Sequence, residues 1–372
     1  MPRLSRADTS LVGRWWWTVD RLTLLALGLL IGFGYVMMLA ASPAVAARIG
    51  EARDALILKQ VLFLALAAAI MTLTSFLSLR GVRNLALMGG LLALALTALT
   101  LIKGVEIKGA RRWIALPGFS LQPSEFLKPF FAVLTGYLLT TPRLPRLAGG
   151  AIATLAFALI AFLLKSQPDI GMLSVITAVF LAQWFIAGLN LILVGVGLAG
   201  MAGGGIAAYA FFPHVQSRVA RFLDPAKGDH YQITTALEAF GNGGLWGRGP
   251  GEGRIKDLLP DAHADFVFAV AGEEFGFVIC AALVGLFAFL VIRGLLRLKR
   301  ENDPFVVVAA SGLLAGFGLQ AFINMASSLH LIPTKGMTLP FISYGGSSVL
   351  AMAFGMGMLL ALTRRRFGGE IR

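Results

Sequence analysis

Between Asp261 and Glu274 the chain reads Asp261-Ala262-His263-Ala264-Asp265, then Phe266-Val267-Phe268-Ala269-Val270-Ala271-Gly272-Glu273-Glu274. Three titratable side chains fall together where a polar stretch ends, and two more lie inside the apolar run that follows. An ionisable group at the edge of hydrocarbon costs free energy, so its default reading is functional. A carboxylate there can serve as a general base toward a membrane-embedded substrate, and Asp265 is the leading candidate. The plainer role is an acid in the first turn of a helix, which the macrodipole favours. On a helix, Glu273 lies about 80° and Glu274 about 180° from Asp265, so both cannot line one site with it. One of the two is expected to pair with a basic group on another helix, and Gly272-x-x-x-Gly276 would allow close packing on that side. Asp261, His263, Glu273 and Glu274 are read as supporting groups.

Three other stretches hold polar chemistry between apolar blocks. Arg111-Arg112-Trp113-Ile114 leads to Gln122-Pro123-Ser124-Glu125-Phe126-Leu127-Lys128. Pro123 suits a helix start, and Glu125 and Lys128 are spaced to pair along one face. A buried pair is the plainer reading, and a wet cavity lined by them is the alternative. In Gln167-Pro168-Asp169-Ile170-Gly171 the acid is expected to cap a helix. Residues 331–348 contain two prolines, three glycines and several hydroxyls, Ser343 among them. That composition predicts irregular backbone, which at membrane depth is tolerated only where it is buried or lines a cavity. Lys335, in this stretch, is a candidate phosphate contact.

These residues must be positioned by a membrane-spanning scaffold. Of 372 residues, 57% are hydrophobic and 14% charged, with a mean hydropathy of +0.80. The apolar residues come in blocks of about 20, the length that crosses a hydrocarbon core. The pattern predicts an all-α polytopic bundle with ten spans, near 22–42, 56–78, 84–102, 123–141, 147–164, 168–187, 190–212, 266–292, 305–330 and 342–363. The whole chain, 1–372, reads as a single transmembrane domain, with a long polar loop at about 213–265 between spans seven and eight. Within that loop, glycine-rich 241–251 reads either as flexible turns on the membrane or as backbone that a ligand can approach closely. It is not a P-loop, because no Gly-Lys-Ser/Thr ending is present.

The net charge of +13 would suggest nucleic acid in a soluble protein. Here it is read as juxtamembrane charge that sets topology, and no nucleic-acid partner is expected. Dense arginines at Arg80/Arg83, Arg143/Arg146, Arg293/Arg297 and Arg364-Arg365-Arg366 place those turns, and both termini, in the cytoplasm. Arg111, Arg112, Arg248 and Lys335 then fall on the outer face against the insertion rule, where an anionic phosphate or pyrophosphate ligand would compensate them. For the long loop, free translocation with local ion pairing is an equal reading. One cysteine, Cys280, excludes an intrachain disulfide, and four scattered histidines show no metal-ligand spacing.

Taken together, Arg112-Trp113-Ile114 with Gln122-Pro123-Ser124-Glu125, Gln167-Pro168-Asp169, Asp265-Phe266 with Gly272-Glu273-Glu274, and Ser343-Tyr344-Gly345-Gly346-Ser347-Ser348 resemble the SEDS family of bacterial cell-wall proteins over almost the whole chain. Pro333-Thr334-Lys335-Gly336 and Arg14-Trp15-Trp16-Trp17 look like its division branch, of the α-proteobacterial type, rather than its elongation branch. Ala264 and Met172 stand where the family often has threonine.

The resemblance implies a peptidoglycan glycosyltransferase of the bacterial inner membrane that polymerises lipid II at the division septum. The family's catalytic aspartate falls on Asp265, as general base toward the acceptor's GlcNAc 4-hydroxyl in an inverting transfer that releases undecaprenyl pyrophosphate. Arg111, Arg112, Glu125, Lys128, Arg248, Lys335 and Ser343 are the substrate-binding candidates, with Asp169 supporting. A divalent cation, Mg2+ or Mn2+, is compatible with the leaving group. The implied partners are lipid II and the nascent glycan strand, a class B penicillin-binding protein and other divisome membrane proteins. The elongation-type polymerase of the same family is one alternative. A lipid II flippase is another, but it needs polar groups through the full depth, whereas the charges here gather at the outer ends of spans. A scaffold that only recruits a partner would leave Asp265 and Glu273 unexplained.

Overall fold

The computed structural model describes residues 10–49, 53–107, 110–188, 191–223, 231–333 and 336–365. A short helix α1 (Leu11–Thr18) precedes α2 (Arg21–Ile49), α3 (Arg53–Ser75) and α4 (Leu79–Lys103). An antiparallel sheet follows, β1 (Val105–Ile107), β2 (Ala110–Leu116) and β3 (Phe119–Leu121), with β2 in the centre. Then come α5 (Ser124–Thr140), α6 (Arg146–Ser166), α7 (Ile170–Ile186), α8 (Leu191–Phe211), α9 (Pro213–Leu223) and α10 (Tyr231–Gly243). A 3-10 turn at Ile255–Asp257 leads to α11 (Val267–Leu298), α12 (Pro304–Ser328) and α13 (Gly346–Leu362).

Among the described residues, six helices are long and apolar enough to cross a membrane, and shorter apolar helices accompany them. The chain is a multi-pass helical membrane protein, and each range read as a span coincides with a helix. Residues 103–122, between α4 and α5, hold a small sheet. Two local expectations are corrected. The 213–265 stretch is not one long loop, because α9 and α10 lie in it. In α10, Thr235, Ala236, Ala239 and Gly243 recur at helical spacing and are buried, so a segment of modest hydrophobicity folds by packing on α11. The last span starts four residues late, at Gly346, because Leu339, Phe341 and Ile342 are buried in irregular backbone that precedes it.

Helix α12 is the central post. Two-thirds of its span is buried, and it packs on α5, α7, α11 and α13. Two polar belts close the bundle at opposite ends. At one end the start of α2 meets the ends of α3, α11 and α13. Trp15 Nε1 donates to Ser75 Oγ at 2.8 Å, Arg364 donates to the Leu77 carbonyl at 3.1 Å, and the Arg365 amide donates to Thr18 O at 3.0 Å. Asp20 is the centre of this belt. It is 5% exposed and receives Arg293 on both oxygens at 2.7 Å, Arg297 at 2.7 Å and the Thr23 hydroxyl at 2.7 Å. Burial works to raise the Asp20 carboxyl, and the hydrogen bonds from Arg293, Thr23 and Arg297 outweigh it, holding the group well below the usual carboxylate range.

Asp20→Asn is expected to lower thermal stability by about 1–3 kcal/mol, because a buried charge-assisted acceptor is lost. The folded-state value lies below the unfolded one, so the contribution is complete above the unfolded value and declines as pH falls below it. Melting curves followed by tryptophan fluorescence should show a constant gap between parent and variant at neutral pH, narrowing below about pH 4.

Candidate active site

Asp265 sits in a turn, one residue before the N-cap of α11. The amides of Ala264, Asp265 and Phe266 all point to the Asp261 carbonyl, at 2.9, 3.1 and 3.4 Å. Asp261 adopts φ +53 to allow this, a conformation its short polar side chain tolerates. Leu259, Ala262 and Phe266 are buried around the turn and hold it down, while Asp265 itself is half-buried. Because α11 begins at Val267, the helical-wheel relation between Asp265 and the two glutamates does not apply.

Three successive carbonyls of this turn are gripped by the segment and helix beside it. The Tyr344 amide donates to His263 O at 2.7 Å. Ser343 Oγ donates to Ala264 O at 2.6 Å, and Asn324 Nδ2 donates to Asp265 O at 2.9 Å. Asn324 Nδ2 also donates to Met337 O at 2.6 Å, so one amide on α12 joins the Asp265 turn to the 336–345 segment. Gly336 lies against the carboxylate. It has φ +65, and a Cβ there would come within 3.3 Å of Asp265 Oδ2. A side chain at 336 would be strained and would crowd the acid.

The 336–345 segment is itself locked from behind. Ser343 Oγ accepts the Leu339 amide at 2.7 Å, and Gln60 of α3 donates to Ser343 O at 3.2 Å. Phe341 is fully buried at φ +62, an outlier for a bulky residue. Its carbonyl faces Gly34 of α2, where a Cβ would clash with it. From Thr338 a polar chain continues inward. Gln320 of α12 donates to Thr338 O at 3.0 Å and to Ser348 Oγ at 3.2 Å, and its carbonyl accepts Lys128 Nζ. Lys128 in turn pairs with Glu125 at 2.8 Å. The plainer reading of Glu125 and Lys128 therefore holds: they are a buried pair, joined to the Asp265 turn through the two α12 amides.

Glu273 and Glu274 serve a different purpose. α11 breaks at Gly276, φ +76 and ψ −176, and the loop after α10 mends the break. The amides of Arg248 and Gly249 donate to Glu273 O and Glu274 O at 2.9 and 3.0 Å, while those of Phe277 and Val278 donate to Gly244 O and Leu245 O at 2.9 and 3.2 Å. Both groups of helix-end atoms thus find partners inside the apolar bundle, as they must. The fully buried Glu273 carboxylate accepts the amides of Arg254 and Ile255 at 2.8 Å, that of Lys256 at 3.0 Å and Asn242 Nδ2 at 3.0 Å. Glu274 accepts the Gly251 amide at 3.0 Å and pairs with buried Lys256, which also reaches Ala40 O at 2.9 Å. The expected basic partner exists, but it comes from the loop rather than a helix. The close packing read at Gly272 is present, since a Cβ there would clash with Phe240 of α10, whereas Gly276 is the break itself. At Gly247, φ +81, a Cβ would clash with Glu274 O, so what approaches closely there is the chain's own backbone.

Several candidates take structural places. Arg112 Nε donates to Gln167 O at 2.9 Å and Nη2 to Pro168 O at 2.6 Å, with Nη1 3.6 Å from Asp169. It clamps the sheet to the start of α7. Asp169 caps α7 as expected, accepting the Met172 amide at 3.1 Å. Ser343, fully buried, holds backbone on two sides. Arg111 is exposed and pairs with Glu106 at 3.3 Å, and exposed Arg248 donates to Asn242 O at 2.8 Å. His263 packs against Tyr344 with ring centroids 5.0 Å apart. Burial lowers its pKa, with Asp261 pulling the other way. Lys335 lies outside the described residues. Among the described residues, no three His, Cys, Asp or Glu side chains gather as a metal site.

A family model described as cell cycle protein, FtsW/RodA/SpoVE, matches residues 20–367. This chain belongs to the FtsW/RodA/SpoVE family. A relative from Caulobacter vibrioides, named probable peptidoglycan glycosyltransferase FtsW, is 45% identical over 367 residues, covering 98% of this chain and 94% of its own. A relative of the same name from Halomonas elongata is 40% identical over 73% of this chain and 71% of its own. Among solved structures, a chain from a peptidoglycan synthase complex described as coordinating polymerization and crosslinking superposes with a TM-score of 0.77 at 28% identity, covering 93% of this chain and 97% of its own. The rod shape determining protein RodA of Thermus thermophilus gives 0.69 at 27% identity, covering 94% and 97%.

In this FtsW/RodA/SpoVE chain, the site residues that sequence reasoning missed are amides and one lysine: Gln60, Gln320, Asn324 and Lys256. An uncharged amide inside an otherwise apolar helix was the available signal. Glu273→Ala removes the acceptor of four donors, so the amides of residues 254–256 should lose protection in hydrogen exchange while those of α12 keep theirs. Glu273→Gln, which retains one acceptor oxygen, should fall between the parent and Glu273→Ala.

Proposed function

We propose that this chain polymerises lipid II into glycan strands as the glycosyltransferase of a bacterial division septum, acting from the outer face of the inner membrane as a single transmembrane domain of ten spans with both termini in the cytoplasm. The names of its relatives support the activity. The observation that carries the assignment is the Asp265 turn: a half-buried carboxylate whose backbone is fixed by three hydrogen bonds to α12 and the 336–345 segment. Such preorganisation is what a general base requires. The clustering of Asp20, Arg293, Arg297 and Arg364 at the end away from Asp265 supports the orientation.

Asp265 takes the proton of the acceptor's GlcNAc 4-hydroxyl as that oxygen forms a bond to C1 of the donor's terminal MurNAc. The bond from C1 to the pyrophosphate oxygen breaks, the configuration inverts and undecaprenyl pyrophosphate leaves. Arg111, Arg112, Arg248 and Lys335 are the cations for that anion, and a divalent cation, if bound there, would add positive charge to the leaving group. Glu125 and Lys128 act behind the site by fixing Gln320. The similarity to a chain of a synthase complex that coordinates polymerization with crosslinking supports a class B penicillin-binding protein as partner.

Purified chain with its partner and labelled lipid II should make glycan polymer, and Asp265→Asn and Asp265→Ala should make none. Polymer at the parental rate from both variants would end the base assignment. Lys335→Ala should weaken lipid II use, raising KM, with an unchanged melting temperature. Asn324→Ala leaves the carboxylate in place but unpins its turn, so kcat should fall roughly 10-fold to 100-fold, in line with loss of positioning, while KM stays near the parental value. A parental kcat would remove Asn324 from the positioning role.

A further inference from the structure

Where α11 and α13 end, on the side of the bundle opposite Asp265, a cleft of about 1040 Å³ opens to the surface. One wall is apolar and belongs to α11. Phe289, Ile292 and Leu296 line it at helical spacing, with 40%, 56% and 56% of their surface exposed. The mouth is basic, built from Arg293, Arg297, Lys299, Arg300, Arg364 and Arg365.

The acids nearby are already engaged. Asp20 binds Arg293 and Arg297. Glu301, the acid lining the cleft, accepts the amides of Asn302 and Asp303 at 3.0 and 3.1 Å. Exposed Lys299, Arg300 and Arg365 have no acidic partner among the described residues. The cleft thus joins positive charge, without an acidic partner among the described residues, to an exposed apolar stripe running away from it along one helix.

From this pairing we infer that the cleft is a binding site for an anionic phospholipid, with the phosphate among Lys299, Arg300 and Arg365 and an acyl chain along Phe289, Ile292 and Leu296. Arginine matches phosphate oxygens with paired donors, and basic pockets between helices near a membrane surface suit anionic head groups. A soluble anion would use the mouth and leave the wall bare. The site is independent of the reaction assigned to Asp265, and its test does not use activity.

The full chain, delipidated in detergent, is titrated with cardiolipin and separately with phosphatidylcholine, and bound lipid is counted by native mass spectrometry. Cardiolipin should be retained roughly tenfold better than phosphatidylcholine. The triple variant Lys299→Ala/Arg300→Ala/Arg365→Ala should lose about tenfold in cardiolipin retention, the size expected for removing several surface cations. Arg80→Ala/Arg143→Ala, which removes exposed cations elsewhere, should retain it. Phe289→Ala/Leu296→Ala should also weaken retention, and glycerol phosphate should fail to displace the lipid. Melting temperature in lipid-free detergent verifies folding, and the single variants Arg300→Ala and Arg365→Ala replace the triple one if it unfolds. Equal retention by the cleft variants and the parent overturns the site. So does equal loss in the Arg80/Arg143 control, which marks surface charge alone, or displacement by glycerol phosphate, which marks a soluble-anion site.

Discussion

The half of the molecule that holds Asp265 depends on one buried carboxylate. Glu273 is fully buried inside an apolar bundle, near the end of the upper half of a broken helix, where the dipole disfavours negative charge. It is held there by three backbone amides and one side-chain amide. Those same bonds give the 242–256 loop its shape. The loop in turn supplies the donors and acceptors that α11 lacks at Gly276. It also delivers Lys256 to Glu274 and to α2, and carries the chain on to the Asp265 turn.

The site itself is where two irregular segments meet. The 261–266 turn and the 336–345 segment lack the continuous ladder of a helix or sheet, so each is held by the other and by the helices behind them. Asn324 and Gln320, one helical turn apart on α12, face this meeting point from one of the most buried helices of the bundle. The rigidity of α12 is thereby passed to backbone that has none of its own. The positive φ at Phe341 is strain that survives because Gly34, Gln60 and Ser343 fix the residues around it.

Much of this was legible in the sequence. Blocks of about 20 apolar residues marked every long helix, because a hydrocarbon core imposes that length. The capping role of Asp169, the Glu125–Lys128 pair and the irregular 336–345 segment followed from residue type and spacing. What was not legible depends on distant pairing. Arg112 looked free for a ligand because its partners, Gln167 O and Pro168 O, are more than fifty residues away. Glu273 and Glu274 looked like acids on a continuous helix, and nothing local announced that Gly276 would break it. The α12 amides carry no charge, and their role depends on carbonyls of the 261–266 and 336–345 segments that only the fold brings to them. α10 was read as loop because its buried face is made of small residues, which a hydrophobicity count undervalues.

The mended break in α11 also constrains how such a chain can change over generations. The 244–249 loop and the 273–278 stretch complete each other's backbone and touch so closely that Gly247 has no room for a side chain. Neither segment can lengthen, shorten or gain bulk by itself without stranding hydrogen-bond donors in an apolar interior. Although the Asp265 loop separates them along the chain, the two stretches are one heritable unit. Descendants of this sequence must keep both or replace both together.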